Sequence, residues 1–367
     1  MRILFCGGGT AGHITPALAI AESILEKQPD AEILFVGREG GDENKMIEKY
    51  GFEIKTVNIH GFTRSISLDN VKNLFYVASA LKKSRAIIKE FSPDVVVGTG
   101  GYVTWPVVRG ASLLKIPTVI HESNACPGLV TKLLAPKCDR VLLNLIGTEK
   151  EFRKRKNIRI VGNPVRDEFL SLTKAEARRR LGVSSKEFLI SSFGGSGGAR
   201  TINDAVIALM KSHSANNKGI RHIHGCGNKY HEELKKEFPE FFKGKCGCII
   251  KPYIDDMPTV IRASDAVISR CGAMTLSELS AVGAASILIP SPNVTNNHQY
   301  KNAKLMADSG AAIMIEEKEL TERTLLDAVR KIENDVHLRN KLCEKIHKFY
   351  VADSATLIRD EIFSLLK

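Results

Sequence analysis

With 367 residues, the chain is longer than one hydrophobic core usually requires, and its hydrophobic content of 43% is ordinary for a globular protein, so we expect two folded domains. The formal net charge of +12 disfavours cationic partners and favours nucleotides, nucleic acid or an anionic membrane surface. No apolar run approaches the roughly twenty residues that cross a bilayer, and the first one breaks at Gly7, which is too early for a secretory signal. We therefore expect a cytoplasmic protein that meets a membrane only from its surface.

Eight cysteines are scattered along the chain, and Cys246 and Cys248 form the only close pair. Their spacing is too tight for a usual zinc knuckle. The pattern predicts reduced thiols.

Strand-like runs alternate with helical patterns through the first half, which is typical of a parallel sheet covered by helices on both faces. The first apolar run, Ile3-Leu4-Phe5-Cys6, leads into a glycine loop at 7–13 and a helical pattern that starts near Thr15-Pro16. Further strands are predicted at 32–37, 53–59, 94–98, 117–121 and 140–144, and helices at 17–27, 69–89 and 104–114.

The second half repeats this scheme after a break at 161–164, where Gly162 and Pro164 interrupt the pattern. Strands are predicted at 188–193, 220–225, 248–251, 266–269, 286–290 and 312–315, and a helix follows the second glycine loop over 201–210. A last helix at about 353–366 is expected to cross back to the first domain. The predicted domains are 1–163 together with about 350–367, and 164–349.

The glycine loop at 7–13 (Gly-Gly-Gly-Thr-Ala-Gly-His) has a counterpart at 194–200 (Gly-Gly-Ser-Gly-Gly-Ala-Arg). A strand, a glycine turn and a helix leave unpaired backbone N–H groups above the turn, which favours an anion. Two such loops, half a chain apart, suggest two facing domains of one kind.

The two loops also match the sequence motifs of two other functions. Gly7-x-Gly9-x-x-Gly12 fits the dinucleotide fingerprint, but the second strand ends in Gly37-Arg38 without an acid for the ribose, which leaves only an NADP-binding oxidoreductase open. Gly194-x-Ser196-x-Gly198 has the spacing of a nucleophile elbow, and Ser196, Glu278 and His298 follow the chain order of an α/β-hydrolase triad. Glycine runs also arise wherever a phosphate needs close backbone approach, so this second match has little weight.

A third constellation decides between these functions. The segment 268–279 reads as a strand that ends in Ser269-Arg270, a turn at Gly272 and a helix from about Met274. We expect another anion site there, with Arg270 beside it. Glu278 lies one helical turn further on, where a carboxylate can accept both hydroxyls of a ribose. The pattern therefore predicts a nucleoside diphosphate site.

Eight segments, in the same order along nearly the whole chain, resemble those of the MurG family of N-acetylglucosaminyltransferases. They are 8–13 (Gly-Gly-Thr-Ala-Gly-His), 98–102 (Gly-Thr-Gly-Gly-Tyr), 121–124 (His-Glu-Ser-Asn), 162–166 (Gly-Asn-Pro-Val-Arg), 194–199, 253–257 (Tyr-Ile-Asp-Asp-Met), 269–278 and 298–303 (His-Gln-Tyr-Lys-Asn-Ala). The resemblance implies an α/β fold of the GT-B class, with two Rossmann-like, doubly wound parallel sheets that face a cleft. The chain departs from the commonest family pattern at Ala11, Ser123 and Gly197, where Gly, Gln and Gln are usual.

The resemblance also implies a reaction: transfer of GlcNAc from UDP-GlcNAc, with inversion, to the C4 hydroxyl of MurNAc-(pentapeptide) on undecaprenyl diphosphate, which converts lipid I to lipid II. Another UDP-sugar transferase of the same fold is the alternative. The residues that it assigns to the donor are Thr10, Ala11, Gly12, Asn124, Arg166, Ser196, Ile254, Ala273, Met274, Thr275, Leu276, Ser277, Glu278 and Gln299. Within this set Ile254 is expected to meet the uracil through its backbone, Glu278 the ribose, Ser196 and Arg166 the diphosphate, and Gln299 the sugar.

Inverting transfer needs a group that takes the proton of the attacking hydroxyl while charge grows on the leaving UDP. His13 is our candidate base because its unperturbed pKa suits proton uptake at neutral pH, and Glu122 is the second candidate. A hydrogen bond at the helix terminus is the structural alternative for His13. No Asp-x-Asp pair occurs in the chain, so we expect no metal and no cofactor; helix N-termini and Arg166 would stabilise the leaving phosphate.

A lipid acceptor requires a membrane-facing surface, and residues 62–89 are the candidate. Basic residues there (Arg64, Lys72, Lys82, Lys83, Arg85, Lys89) are interleaved with apolar ones (Ile66, Leu68, Leu74, Phe75, Tyr76, Leu81, Ile87). A solvated helix with one buried face has the same composition. The partners implied are UDP-GlcNAc, lipid I and the anionic inner leaflet of the cytoplasmic membrane, with other cell-wall synthesis proteins as further candidates and no nucleic acid.

Overall fold

The structure is a computed structural model that describes residues 1–9, 11–59, 68–153, 156–195, 197–216, 219–244 and 247–366; the side chains of residues 11, 68–74 and 215–216 are outside this description. The chain divides into two compact units, Met1–Pro164 with Val351–Lys367, and Val165–Tyr350. These boundaries lie one residue beyond the predicted 163/164 and 349/350 positions. The roles assigned to the two domains stay predictions.

The described part of the first unit contains a parallel sheet of seven strands in the order β3-β2-β1-β4-β5-β6-β7. Its strands are β1 (Arg2–Gly7), β2 (Glu32–Arg38), β3 (Glu53–Val57), β4 (Val95–Gly100), β5 (Thr118–Glu122), β6 (Arg140–Leu143) and β7 (Ile158–Ile160). Its helices are α1 (Ala11–Lys27), α2 (Asn44–Lys49), α3 (Leu68–Phe91), α4 (Thr104–Leu113) and α5 (Leu129–Leu134). Because β1 lies between β2 and β4, the loop after β1 has the loops of both neighbours beside it.

The second unit contains, within its described residues, a parallel sheet of six strands in the order β10-β9-β8-β11-β12-β13. Its strands are β8 (Phe188–Phe193), β9 (Ile220–Gly225), β10 (Cys248–Lys251), β11 (Ala266–Ser269), β12 (Ser286–Leu288) and β13 (Ile313–Met314). Its helices are α6 (Lys174–Arg180), α7 (Arg200–Asn216), α8 (His231–Glu237), α9 (Pro239–Phe242), α10 (Met257–Ala263), α11 (Ala273–Val282), α12 (His298–Asp308), α13 (Glu322–Asn334) and α14 (Val336–His347). Each sheet therefore reverses its strand order beside its first strand, as in a doubly wound fold.

The last helix, α15 (Ser354–Phe363), belongs to the first unit and packs against α1. Ile358 and Ile362 are buried in the same cluster as Ile14 of α1, and Glu361 forms an ion pair of 2.7 Å with Arg140. Gly162 adopts a φ of +77°, and a Cβ atom there would collide with Ser354. Glycine at this position lets the chain that leaves the first unit pass close to the chain that returns.

The apolar run of β1 is continuous because helices cover both faces of its sheet. Ile3 and Phe5 belong to one buried cluster, whereas Leu4 and Cys6 belong to another. Successive side chains of a strand point to opposite faces, so the four residues supply both cores.

Three sequence predictions need correction. α1 begins at Ala11, so Pro16 lies inside the helix and His13 lies in its first turn, not in the loop before it. Strand β7 was missed because its pattern, Ile158-Arg159-Ile160, is too short to stand out. α7 runs to Asn216, six residues beyond the predicted end.

Helix α3 has a buried and an exposed face where its side chains are described. Ala80, Ile87 and Ile88 are buried, so Ile87 supports the core and is not part of an exposed surface. Phe75 is 74% and Tyr76 40% exposed. The basic side chains of Lys82, Lys83, Arg85 and Lys89 are exposed as well. Residues 62–67 and the side chains of 68–74, which complete the predicted surface, lie outside the description. Among the described helices, none combines the length and apolar character of a membrane span.

Candidate active site

In the first unit, the glycine loop after β1 packs backbone to backbone against the loop after β4. The Gly8 amide donates to the Gly100 carbonyl at 3.2 Å. Gly101 has a φ of +83°, and a Cβ atom there would collide with the Gly8 carbonyl oxygen. The Gly-Thr-Gly-Gly-Tyr segment thus needs glycine because the two loops touch at this point.

His13 lies on this contact, in the first turn of α1. Its Nδ1 is 3.1 Å from the Thr99 carbonyl oxygen, and its ring fills the space that a Cβ atom on Gly100 would occupy. A carbonyl oxygen can only accept, so Nδ1 carries the proton in the neutral imidazole, and Nε2 carries the lone pair. The arrangement fixes the tautomer that a general base needs.

The same loop is held from its other side by Glu43, which the sequence analysis did not select. Gly9 has a φ of +88°, and its amide donates to Glu43 Oε1 at 2.6 Å. Glu43 directly precedes α2, and no local pattern connects it with a glycine thirty-four positions away. The dinucleotide fingerprint places its acid at the end of β2, so it does not point to an acid five residues beyond Arg38.

Glu122, the second candidate base, is buried and has both carboxylate oxygens engaged. Oε1 accepts from the Asn124 amide at 3.1 Å and from Asn124 Nδ2 at 3.2 Å. Oε2 accepts from the Gly128 amide at 3.0 Å and from Thr131 Oγ1 at 2.7 Å. These four bonds fold the segment after β5 around the carboxylate, so Glu122 organises a loop, and Asn124 directs its side-chain amide toward it.

His121, the neighbour of Glu122, joins the same motif to the end of the first unit. Its Nε2 donates to the Gly162 carbonyl at 2.9 Å, and burial lowers the pKa of its imidazole. His121 is therefore a neutral structural donor.

Thr10 and Ser196, both predicted to contact the donor, lie outside the described residues. Of Ala11 only the backbone is described, at the first position of α1, and Gly12 follows it with an exposed surface.

In the second unit, the loop after β8 makes a similar turn. Gly195 has a φ of +89°, and no described atom would contact a Cβ there. Gly198 has a φ of +73° and lies so close to the Cys226 carbonyl that a Cβ atom would collide with it. The Cys226 carbonyl in turn accepts from Asn203 Nδ2 at 3.0 Å.

The loop after β11 presents a helix N-terminus. α11 begins at Ala273 after Gly272, whose φ of −64° and ψ of 145° are extended, and no described side chain caps the first turn. The first amides of the helix, those of Ala273, Met274 and Thr275, have no intrahelical acceptor. Leu276 and Ser277 follow, and the Ser277 hydroxyl donates back to the Ala273 carbonyl at 3.1 Å.

Two side chains of α12 fix the peptide before this helix. Gln299 Oε1 accepts from the amides of Cys271, at 3.3 Å, and Ser291, at 3.0 Å. Asn302 Nδ2 donates to the Cys271 carbonyl at 3.1 Å. With Oε1 engaged in this way, the group that Gln299 can offer a sugar hydroxyl is its amide NH₂.

Glu278 is set one turn into α11, and burial raises the pKa of its carboxyl to about 7, although the positive charge of Arg166 acts in the opposite direction. In the part of the chain that the structure describes, no hydrogen bond reaches its carboxylate. Arg166 is exposed, and its guanidinium lies over the Phe169 ring at 5.4 Å. A carboxylate with unused acceptors near a guanidinium suits a ribose beside a phosphate.

Ile254 follows β10 as a buried side chain, and its Cδ1 would lie 3.3 Å from a Cβ at Gly225. The side chain anchors the segment, which leaves its backbone as the part that can meet a base. Arg270, which was expected beside the anion site at the start of α11, pairs with Glu317 and donates to the Ile289 carbonyl at 3.2 Å. The guanidinium of Arg270 thus binds groups of the protein.

Comparison with known proteins identifies the family. Residues 3–143 match the glycosyltransferase family 28 N-terminal domain, and residues 189–356 match the glycosyltransferase family 28 C-terminal domain. A Clostridioides difficile protein named UDP-N-acetylglucosamine--N-acetylmuramyl-(pentapeptide) pyrophosphoryl-undecaprenol N-acetylglucosamine transferase is 41% identical over 367 residues, which cover this whole chain and 89% of the relative. A relative of the same name from Caldanaerobacter subterraneus is also 41% identical, over this whole chain and 99% of its own.

Among solved structures, Acinetobacter baumannii MurG superposes with a TM-score of 0.79 at 23% identity, and the match covers 99% of both chains. The chain belongs to the MurG family. The predicted GT-B fold class is confirmed by this likeness together with the two doubly wound sheets. As a member of the MurG family, the chain is a glycosyltransferase. Family membership therefore decides against the hydrolase and the NADP-dependent oxidoreductase that the loops alone left open.

Proposed function

We propose that this MurG-family chain transfers GlcNAc from UDP-GlcNAc to the C4 hydroxyl of MurNAc-(pentapeptide)-pyrophosphoryl-undecaprenol, with inversion at the anomeric carbon, and so converts lipid I to lipid II. The observation that carries the proposal is 41% identity, over the full length of this chain, to relatives that bear the name of this activity. The two loops and α11 supply groups of the kinds that the reaction needs.

The donor nucleotide belongs to the second unit. Glu278 accepts the ribose hydroxyls, the first amides of α11 face the diphosphate, and Arg166 adds a positive charge near both. The backbone at Ile254 meets the uracil, and the Gln299 amide donates to the sugar. Thr10, Ala11, Gly12, Asn124 and Ser196 stay candidate donor contacts on the strength of the family motifs.

His13 is the base. Its Nδ1 is held by the Thr99 carbonyl, so Nε2 takes the proton as the C4 hydroxyl attacks the anomeric carbon. The bond between that carbon and the UDP oxygen breaks in the same step, and negative charge grows on the diphosphate. Helix amides and Arg166 stabilise this charge in place of a metal ion. Glu122 is the weaker candidate, because four hydrogen bonds already engage its carboxylate.

The experiment is a transfer assay on the purified chain with UDP-GlcNAc and a soluble lipid I analogue. We expect a β-1,4-linked disaccharide and UDP as products, and we expect the rate to persist in excess EDTA. Failure to form the disaccharide with this acceptor, while other UDP-sugars or acceptors react, would favour a different transferase. Complete loss of rate in EDTA, restored by a divalent ion, would contradict the metal-free mechanism.

The acceptor's lipid places the protein at the inner leaflet, and α3 is the element that we assign to this contact. Exposed Phe75 and Tyr76 precede a basic stretch of the same helix (Lys82, Lys83, Arg85, Lys89). Co-sedimentation with anionic vesicles tests this assignment: Lys82→Glu with Lys83→Glu removes two positive charges at about 1 kcal/mol each and is expected to weaken binding about 30-fold or more. Equal binding of the variant and the parent chain would disprove it.

A further inference from the structure

Glu43 makes a contact whose purpose the reaction chemistry does not explain. Its Oε1 accepts from the Gly9 amide at 2.6 Å, a short distance typical of a charge-assisted hydrogen bond. Glycine loops of this kind usually present such amides to the phosphate of a ligand. Here a carboxylate of the same unit already occupies the position.

The space around this carboxylate depends on two glycines. A Cβ at Gly41 would lie 2.7 Å from Glu43 Oε1, and a Cβ at Gly8 would lie 3.0 Å from the same atom. Gly41 does not adopt a left-handed φ, so a left-handed turn does not account for glycine there. Close approach of the Glu43 side chain does account for it.

Loop positions 7–9 are thus held from both neighbouring strands of the sheet. On the β4 side, the Gly8 amide donates to Gly100, and His13 Nδ1 donates to the Thr99 carbonyl. On the β2 side, Glu43 holds the Gly9 amide. α1 begins two residues after Gly9, and His13 lies in its first turn. A negative charge near that end of α1 is also favoured by the helix dipole.

We propose that Glu43 is a positioning residue for catalysis: through the Gly9 amide it fixes the first glycine loop and the start of α1, and so holds His13 in place for proton transfer. The role of His13 in this statement rests on the proposed function. The loop contact itself does not.

Two variants release the loop in different ways. Glu43→Ala removes the carboxylate, and Gly41→Ala keeps it but places a methyl group 2.7 Å from Oε1, so the carboxylate must move. We expect both to lower kcat by about 10- to 100-fold, because a shift of roughly 1 Å in a catalytic group costs on that order. The KM for UDP-GlcNAc is expected to change less than kcat, because residues 10–12 are the only candidate donor contacts in this loop and the nucleotide contacts are proposed for the second unit. Glu43→Gln retains an oxygen that can accept from Gly9 and is expected to recover most of kcat. Glu48→Ala, an exposed acid on α2, is the matched control with unchanged kcat.

Hydrogen exchange of the peptide that spans residues 3–20 provides a readout independent of activity. We expect faster exchange at the loop amides in Glu43→Ala and Gly41→Ala, and parental exchange in Glu48→Ala. Parental kcat in Glu43→Ala would overturn the proposal, and so would a lower acceptor KM, since the carboxylate would then compete with the acceptor. If the parent chain lacks transferase activity but exchange responds as stated, the proposed function fails and the loop contact stands.

Discussion

The two glycine loops look alike in sequence but are supported by opposite means. Gly9 and Gly195 occupy matching positions after the first strand of each sheet, with φ values of +88° and +89°. The Gly9 amide is held by the Glu43 carboxylate. The second loop instead has Gly198 against the Cys226 carbonyl, which is oriented by the neutral amide of Asn203. The first loop is therefore supported by a carboxylate of the protein, and the second loop is supported by a neutral amide.

This difference supports the proposal that the nucleotide binds to the second unit. A phosphate that approached the Gly9 amide would meet the negative charge of Glu43, whereas in the second unit the start of α11 and the charge of Arg166, which acts on Glu278, favour an anion. A glycine pattern therefore shows only that the backbone turns sharply. The charge of the neighbouring side chain decides whether an anion binds there.

The neutral support of the second loop extends into a buried chain of side chains. Asn203 Oδ1 accepts from His224 Nε2 at 3.1 Å, because its Nδ2 already donates to Cys226. His224 Nδ1 then accepts from the Ser192 hydroxyl at 2.8 Å, and that hydroxyl accepts from His222 Nε2 at 2.8 Å. The Ser192 carbonyl oxygen, 3.2 Å from His224 Nδ1, cannot donate. Both imidazoles are neutral, since burial lowers the pKa of His224 to about 4 and that of His222 well below its usual value.

The largest effect is expected at the first loop. His13→Ala removes the proposed base, and we expect kcat to fall by about 10²-fold or more. The affinity for UDP-GlcNAc, measured by calorimetry, is expected to stay within threefold, because the nucleotide is assigned to the second unit. Glu22→Gln, an exposed change on the same helix, serves as the control with parental turnover. Unchanged turnover in His13→Ala would disprove the assignment of the base and leave its contact with Thr99 as a structural one.

Much of the fold around the two loops could be predicted from sequence because it depends on local patterns. Strands β8, β9, β10 and β11 have the predicted bounds, since each is a short strand-like run between turn residues. The start of α1 was misplaced because proline usually marks the first turn of a helix, whereas Pro16 lies further inside this one.

The residues of the candidate site also fall into two groups: those that a local pattern indicates, and those that only the fold brings together. Glu278 was selected from its distance to the turn at Gly272, and the structure sets it on α11 with the charge of Arg166 acting on it. Glu43 was not selected, because its partner is thirty-four residues away and only the strand order brings them together. The pairing of Arg270 with Glu317 cannot be inferred from spacing, because Glu317 lies on a distant segment.

A smaller effect is expected at the second unit, where we propose that Glu278 binds the ribose. The carboxyl has a pKa of about 7 without ligand, and its ionised form accepts both hydroxyls, so binding favours loss of the proton. Between pH 8 and pH 6 we expect the affinity for UDP-GlcNAc to fall about tenfold. Glu278→Gln is expected to bind roughly 30-fold more weakly at pH 8, as for lost hydrogen bonds to a charged group, and to lose this pH dependence.

UDP-GlcNAc is the suitable probe because its diphosphate is a diester without a proton to lose in this range. Glu344→Gln, an exposed change on α14, is expected to keep the parental profile. A flat profile in the parent chain would show that Glu278 does not meet the ribose as a carboxylate. The raised pKa also means that ionisation of Glu278 costs stability as the pH rises from about 4.5 to 7, so Glu278→Gln is expected to unfold at higher denaturant at pH 8.

The smallest effect concerns the neutral support of the second loop. The pKa of His224 is lowered on folding, so its contribution to stability is present above about pH 6.5 and is lost as the pH falls toward 4. Between pH 7.0 and pH 5.5 this residue alone is expected to remove about 1 kcal/mol from the free energy of unfolding of the second unit. His224→Gln is expected to flatten that part of the slope in denaturant titrations, whereas His337→Gln, on an exposed face of α14, is expected to leave it intact. Equal slopes in the parent chain and His224→Gln would mean that a charged imidazole is tolerated beside Ser192, and the contrast between a charged and a neutral loop support would fail.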